Sequence, residues 1–422
     1  MRRVASPVRP DPSVPGATGG GGRRPFVLAP FRGLRFDARQ VGDLGTVISP
    51  PYDVLDADTV RDLEAANRRN IVRLILSRHF ERPYLAVRKR LEQWRERGYL
   101  VADEHPGLYL YEYCADGVTV RGLVGLVGLR DEAERVVLPH EHVMPELVDD
   151  RAVLMRTTET NLEPILLVHE GTAELRRLTD HAAADVPVAR FSALDGSEHQ
   201  LWQITEPGLL TAIAEQLRAT QALIADGHHR YQAYRQLQRT LRCHDDADGA
   251  SPWDFGLALL VDQSDYPLRI GPIHRSIAAL TMADIADASA ERGDKLSTCP
   301  DREAAFALQA EVATDRAAFV LSDGRTWAVL TTHRSSAVDA TVLAEDLLPA
   351  WQIAEEQVGY HHSLDQALHT TVGQPGVVVA VRPPTLAQVM TTAAEGIRMP
   401  RKSTSFAPKP RMGVVMRDLR DC

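Results

Sequence analysis

Five residues, Asp226, Gly227, His228, His229 and Arg230, stand where the apolar run "QALIA" gives way to the helical pattern "YQAYRQL". Glycine at a strand-to-helix turn opens backbone conformations closed to other residues and lets a ligand approach the main chain. The first N–H groups of the following helix have no intrahelical acceptor, and the helix dipole adds positive potential there, so the turn is suited to an anion. Arg230 would add a planar fork for phosphate oxygens. His228 and His229 can donate to phosphate or move protons near neutral pH, and Asp226 could hold an Mg²⁺ that bridges phosphates. Taken alone, the same residues equally describe an Asp-Gly turn with solvated histidine caps. Neither a G-x-x-x-x-G-K-[ST] loop nor a G-x-G-x-x-G after a strand accompanies them.

Two other stretches carry suitable chemistry. "ISPPYDVL" (48–55) puts Ser49, Tyr52 and Asp53 on a loop stiffened by two prolines, the form of a substrate clamp or of a stiff connector. "RMPRKSTSFAPKP" (398–410) sets Lys402, Ser403, Thr404 and Lys409 between prolines, as a lid over phosphate oxygens or as a solvated basic loop. The paired histidines His361 and His362 read as surface residues. No Ser-His-Asp spacing, G-x-S-x-G elbow or H-x-x-x-H pair is present.

The elements that must position these residues follow from pattern. "DADTVRDLEAAN" reads as a helix capped by Asp56 or Asp58, and "ERPYLAVRKRLEQWRERG" as an amphipathic helix closed by Gly98. "LYLYEY", "ADG" and "VTVRGLVGLVGL" form a hairpin signal. "TVIS", "NIVRLIL", "PILLVH", "LWQIT", "QALIAD" and "FGLALLVD" read as strands, and residues 143–158 as a helix. Later come the hairpin "AAFVLSDGRTWAVLTT" and the strand "PGVVVAVRP". The class is α/β or α+β with mixed sheets. The expected division is a disordered Pro/Gly-rich tail (1–24), an N-terminal α/β domain (25–130), a core bearing the Asp226–Arg230 motif (131–275) and a C-terminal α/β domain with the basic loop (276–422).

The 422 residues carry 48 Lys and Arg against 57 Asp and Glu, a formal charge of -9. That argues against a general nucleic-acid or membrane-surface binder. Four scattered cysteines and no apolar run of membrane-spanning length point to a reducing, cytoplasmic setting without a secretory signal.

The string D-G-H-H-R after an apolar strand resembles the signature of the ParB/sulfiredoxin-like superfamily, whose members bind nucleotide phosphates on this turn. In its serine-kinase branch, P-H-E before a helix and P-I on a strand lie upstream, and this chain has Pro139-His140-Glu141 and Pro164-Ile165. The resemblance implies Glu141 as general base for a hydroxyl. More than fifty residues separate "PILLVH" from "LIADGHHR", where the superfamily core has a short link, which implies an insertion or another topology. "ISPPYDVL", "NIVRLIL", "HEH", "DDR" (149–151), "ADGHHRYQAY", "PIHR" and "MPRKSTSFAPKP" resemble the bacterial domain-of-unknown-function family 1015 over nearly the whole chain. Through that likeness His140 and Arg151 join Ser49, Tyr52 and Asp53 as expected substrate contacts, Arg151 equally as half of a structural ion pair.

The implied activity is phosphoryl transfer from ATP or ADP, with Mg²⁺, to free serine or a similar hydroxy metabolite. Glu141, His228 and Asp226 would be catalytic, and residues 226–230 with Lys402, Ser403, Thr404 and Lys409 would bind phosphate. The alternatives are a phosphoserine-type phosphatase or phosphotransferase and a nucleotide-switched, ParB-like binding protein. A homodimer fits any of these.

Overall fold

The structure, a computed structural model, describes residues 24–76, 83–241, 251–335, 338–371 and 374–421, with no side-chain placement for Asp53 or residues 334–335. Residues 1–23 of the expected tail lie outside the described residues. The mixed α+β class is what the chain adopts.

The largest element is a nine-stranded sheet. Its strands are β1 (Leu28–Ala29), β2 (Leu108–Ala115), β3 (Val118–Gly128), β4 (Val137–Leu138), β5 (Ile165–His169), β6 (Ala189–Ser192), β7 (Glu198–Ile204), β8 (Ala222–Asp226) and β9 (Phe255–Asp262). They are ordered β4-β8-β5-β9-β3-β2-β7-β6, with β1 added against β3. β2 and β3 are the expected hairpin, turning at Asp116 and Gly117, both at positive φ. β5, β8 and β9 are unbroken apolar runs because they are central and covered on both faces. The residues between β5 and β8 do not separate them. They form helices α1 (Ala173–Ala183) and α2 (Pro207–Leu217) plus β6 and β7, which extend the far edge of the sheet and leave β5 and β8 paired antiparallel.

Three expectations are corrected here. The boundary at 130/131 cuts through this sheet, since β1–β3 lie before it and β4–β9 after it. "NIVRLIL" is not a strand: Val72–Ile75 is a helical turn. Asn70 decides the matter by accepting from the Val72 amide (3.0 Å) and donating to the carbonyls of Thr46 and Ile48. The same anchors keep "TVIS" irregular, apart from the bridge of Ser49 to Met412.

A six-stranded sheet runs Lys295–Cys299, Trp327–Ser335, Arg316–Ser322, Gly376–Ala380, His274–Ala278 and Val358–His361 in spatial order. Residues 405–418 then contribute to two smaller sheets, one of two strands and one of four. Ser405–Ala407 pairs with Arg269–Gly271, and Met416–Asp418 pairs with both Gly33–Phe36 and Thr160–Asn161. The last segment of the expected C-terminal domain therefore pairs with strands of both earlier expected domains, in two small sheets. No helix of the described residues is long and apolar enough to cross a membrane.

Candidate functional site

β4 and β8 run parallel, with Val137 opposite Ala222 and Leu138 opposite Leu223. Their carboxyl ends therefore open on the same edge, about one strand spacing apart, which is where open α/β sheets place ligands. Past the end of β4 come His140 and Glu141. Past the end of β8 come Gly227 and a long helix, the motif helix, His228–Leu241. A bulge between Ile224 and Asp226 turns the Asp226 side chain out of the ladder. Gly227 sits at φ 96°, and a Cβ there would lie 2.9 Å from Ile165 Cγ2, so the turn requires glycine.

These ends border a cleft of about 140 Å³, lined by Tyr52, Glu141, residues 225–230 and, from the strap 399–409, Arg401, Lys402, Thr404 and Lys409. The amides of His228, His229 and Arg230 find no acceptor among the described residues. The Tyr231 amide is the first of the helix to be satisfied, bonding the Gly227 carbonyl at 2.9 Å. Lys402, at φ 57°, also has no ion pair among the described residues.

Glu141 is held by the strap. Its Oε1 accepts from the Ser403 amide (3.1 Å), the Thr404 amide (2.9 Å) and the Thr404 hydroxyl (2.8 Å). Oε2 has no protein partner among the described residues. Burial raises the Glu141 carboxyl above its ordinary pKa, and the Thr404 bonds and the Lys402 charge only partly offset it. Asp226 goes the other way. Burial pushes its carboxyl up, but Lys409 Nζ at 2.6 Å from Oδ1 and Arg230 Nη2 at 2.5 Å from Oδ2 outweigh that and hold it far below the carboxylate range.

The histidines are neutral. Desolvation is the first cause for all three: His140 falls to about 3, His228 falls well below 6.5, and His229 is lowered. Their bonds agree, because His228 Nε2 accepts from the His140 amide (3.3 Å) and His229 Nε2 from the Met144 amide (3.1 Å). The rings of His140 and His228 meet edge to face at 4.5 Å.

The structure gives several expected residues other tasks. Arg230 offers no free fork: Asp226, Glu163 (3.1 Å) and the Pro164 carbonyl (2.6 Å) take its guanidinium, which is 5% exposed. Asp226 has both oxygens on cations, and no group of three or more His, Cys, Asp or Glu among the described residues is placed to hold a metal. The donor set at this turn does not fit an Mg²⁺ cage. His140 is fully buried behind Glu141, its Nε2 2.8 Å from Thr404 Oγ1, so it cannot touch substrate. Ser49 is buried and bonded through its backbone to Met412, away from the cleft. Arg151 pairs with Asp150 (2.9 Å) and lies 4.5 Å over the Tyr52 ring, supporting that ring from behind. Ser403 contributes its amide only; its hydroxyl donates to the Pro400 carbonyl. The side chain of Asp53 lies outside the described residues.

The strap is not a loose lid. Met399 bridges His140 and His142 through backbone bonds, Arg275 Nη2 donates to the Lys402 carbonyl (2.9 Å), and Tyr113 donates to the Pro408 carbonyl (2.8 Å). His362, read as a surface residue, is exposed and also borders the cleft, its Nδ1 3.1 Å from Ser405 Oγ; Arg401, part of the expected basic loop, lines the cleft too, whereas sequence reasoning missed Met144. It also missed Glu163, which sits beside the noted Pro164; the acid next to the P-I pair was the available signal.

A family model described as "Protein of unknown function (DUF1015)" matches residues 28–353, well over half the chain. The chain belongs to the DUF1015 family. No curated protein matches it. Solved structures similar to this DUF1015 protein include a free serine kinase in complex with AMP (14% identity, TM-score 0.37, 64% of this chain and 84% of that chain). Others are a conserved hypothetical protein from Pyrococcus furiosus (16%, 0.37, 68% and 93%) and C-terminally truncated SbnI from Staphylococcus aureus (11%, 0.38, 68% and 84%). At such TM-scores the overlap transfers neither a site nor a substrate to the DUF1015 chain.

Proposed function

We propose that this protein is a nucleotide-dependent phosphotransferase that moves a phosphoryl group from ATP or ADP to the hydroxyl of free serine or a similar small metabolite. One observation carries the reading. Among the described residues, a carboxylate with a raised pKa and one unbonded oxygen shares a cleft with three helix amides that find no acceptor and a lysine that makes no ion pair. Phosphoryl transfer needs little more from a protein than positioned positive potential around the transferring group and an acceptor for the hydroxyl proton.

In this scheme the amides of the motif helix and Lys402 draw the terminal phosphate. Glu141 Oε2 accepts the proton of the attacking hydroxyl, while three bonds to Oε1 keep the carboxylate aimed. Its raised pKa brings it nearer the working pH, which makes it a better base than an exposed glutamate. Arg230 acts through Asp226, and Asp226 fixes Lys409 at the rim. A divalent ion that travels with the nucleotide would have to be held by phosphate oxygens.

The test is incubation of the full chain with ATP, or with ADP, and serine, threonine or homoserine, read by ³¹P NMR and mass spectrometry. The expected result is one phosphorylated hydroxy amino acid, with Glu141→Gln slowing its formation roughly 10²–10⁴-fold. No product with any acceptor, while nucleotide still binds, would overturn the proposal.

A further inference from the structure

The motif helix has a second end. It is 14 residues long, about 21 Å. Its first turn faces the candidate cleft, whereas Arg235, Gln238 and Arg239 face a separate cavity of about 530 Å³. That cavity is bounded on its other side by the end of β3, Arg130, Asp131, Glu134, Asp254 and Phe255.

Its floor is a buried polar network. Arg235 donates to Asp131 and to Gln238 Oε1, and Gln238 Nε2 donates to Asp254 Oδ1 at 2.7 Å. Arg235, Gln238 and Asp254 are each at most 9% exposed. The walls are equally fixed: the Tyr231 hydroxyl donates to the Arg130 carbonyl (3.1 Å) and the Leu129 amide to the Asp254 carbonyl (2.9 Å). A preorganised polar floor under a cavity of this size is the usual build of a small-molecule site.

The charges around it do not cancel locally. Arg235 is matched by Asp131, and Arg24 lies 3.7 Å from Glu134. Arg130 and Arg239 have no ion pair among the described residues, and the Arg130 Nε is buried without an acceptor. Asp254 is the third carboxylate of a lining that holds four arginines, so one positive charge is left over, and it favours an anion there, because the planar fork binds carboxylate or phosphate through paired charge-assisted bonds.

We propose that this cavity is a second ligand site, taking a small molecule through its carboxylate or phosphate group, with Arg130 and Arg239 as the residues that hold it. The site is independent of the phosphotransferase reading and shares only the motif helix with the cleft. Because the helix joins them, an occupied cavity would also steady the element that carries His228 and His229.

Calorimetric titration of the full chain with malonate and, separately, with inorganic phosphate tests this and distinguishes the two group types. At least one anion should bind, and Arg130→Met with Arg239→Met should weaken it tenfold or more. Neither change removes an ion pair found among the described residues, so the melting curve of the double variant should match the parent and serves as its folding check. Lys402→Ala, which alters the cleft, should leave this affinity within twofold. If neither anion binds, or if the double variant binds as the parent does, the site is refuted. Should the cleft reading alone be wrong, no phosphorylated hydroxy amino acid would form while the arginine variants still weakened anion binding.

Discussion

The two walls of the cleft are built by different means. One wall, the ends of β4 and β8 with the start of the motif helix, is set by backbone pairing between neighbouring strands. The other, the strap 399–409, reaches the site after a whole six-stranded sheet has intervened, and it is held by particular contacts: Glu141 on two of its amides, Arg275 on one carbonyl and Lys409 on Asp226. A backbone-built wall tolerates side-chain change. A contact-built wall depends on a few groups, most of them charged or polar and drawn from both sides.

Asp226→Ala should break the two walls apart and have the largest effect, because it leaves Lys409 and Arg230 without their shared counter-charge. Loss of one partner of a buried pair costs about 3–5 kcal/mol, to be read as a lowered denaturation midpoint in urea. Acid should act next. The folded-state pKa values of His140, His228 and His229 all lie below the unfolded value near 6.5, so their contribution is complete above pH 6.5 and is lost as pH falls toward the folded values. Each of the fully buried pair, His140 and His228, adds a slope approaching about 1.4 kcal/mol per pH unit. Glu141, with its raised pKa, works in the opposite sense and softens the decline. Stability measured from pH 7.5 to 5 should drop, and a flat profile would mean that these rings are not held neutral. Gly227→Ala should be the smallest of the three. It strains the backbone-built wall alone, at about 1–2 kcal/mol for a side chain in the left-handed half of the map, and should leave the Glu141–Thr404 contacts of the strap intact by NMR.

The same contrast explains what could be read from sequence. The motif turn, the β2–β3 hairpin and the central strands announce themselves through glycine, turn residues and apolar runs, which are local signals. Glu141 drew attention through family resemblance, and its partners in the strap were noted as a basic loop. What stayed hidden was pairing over long separations. Nothing near Arg230 says that Glu163 will claim its fork, and nothing near Asp226 says that Lys409 will arrive to neutralise it. "NIVRLIL" has the apolar content of a strand, yet Asn70 commits it to a helical turn through carbonyls of the preceding segment. His362 is the surface residue that the sequence suggested, but its place at the cleft depends on a strap that brings Ser405 to it from some forty positions away.

The reach of the strap has a consequence for synthesis. A ribosome that has made the motif helix has produced a groove with its base uncapped, and Thr404 emerges only after more than one hundred and sixty further residues. Nascent chains therefore carry the anion-attracting turn long before the carboxylate opposite it is aimed, so competence would switch on late, in one event, when the final segment docks.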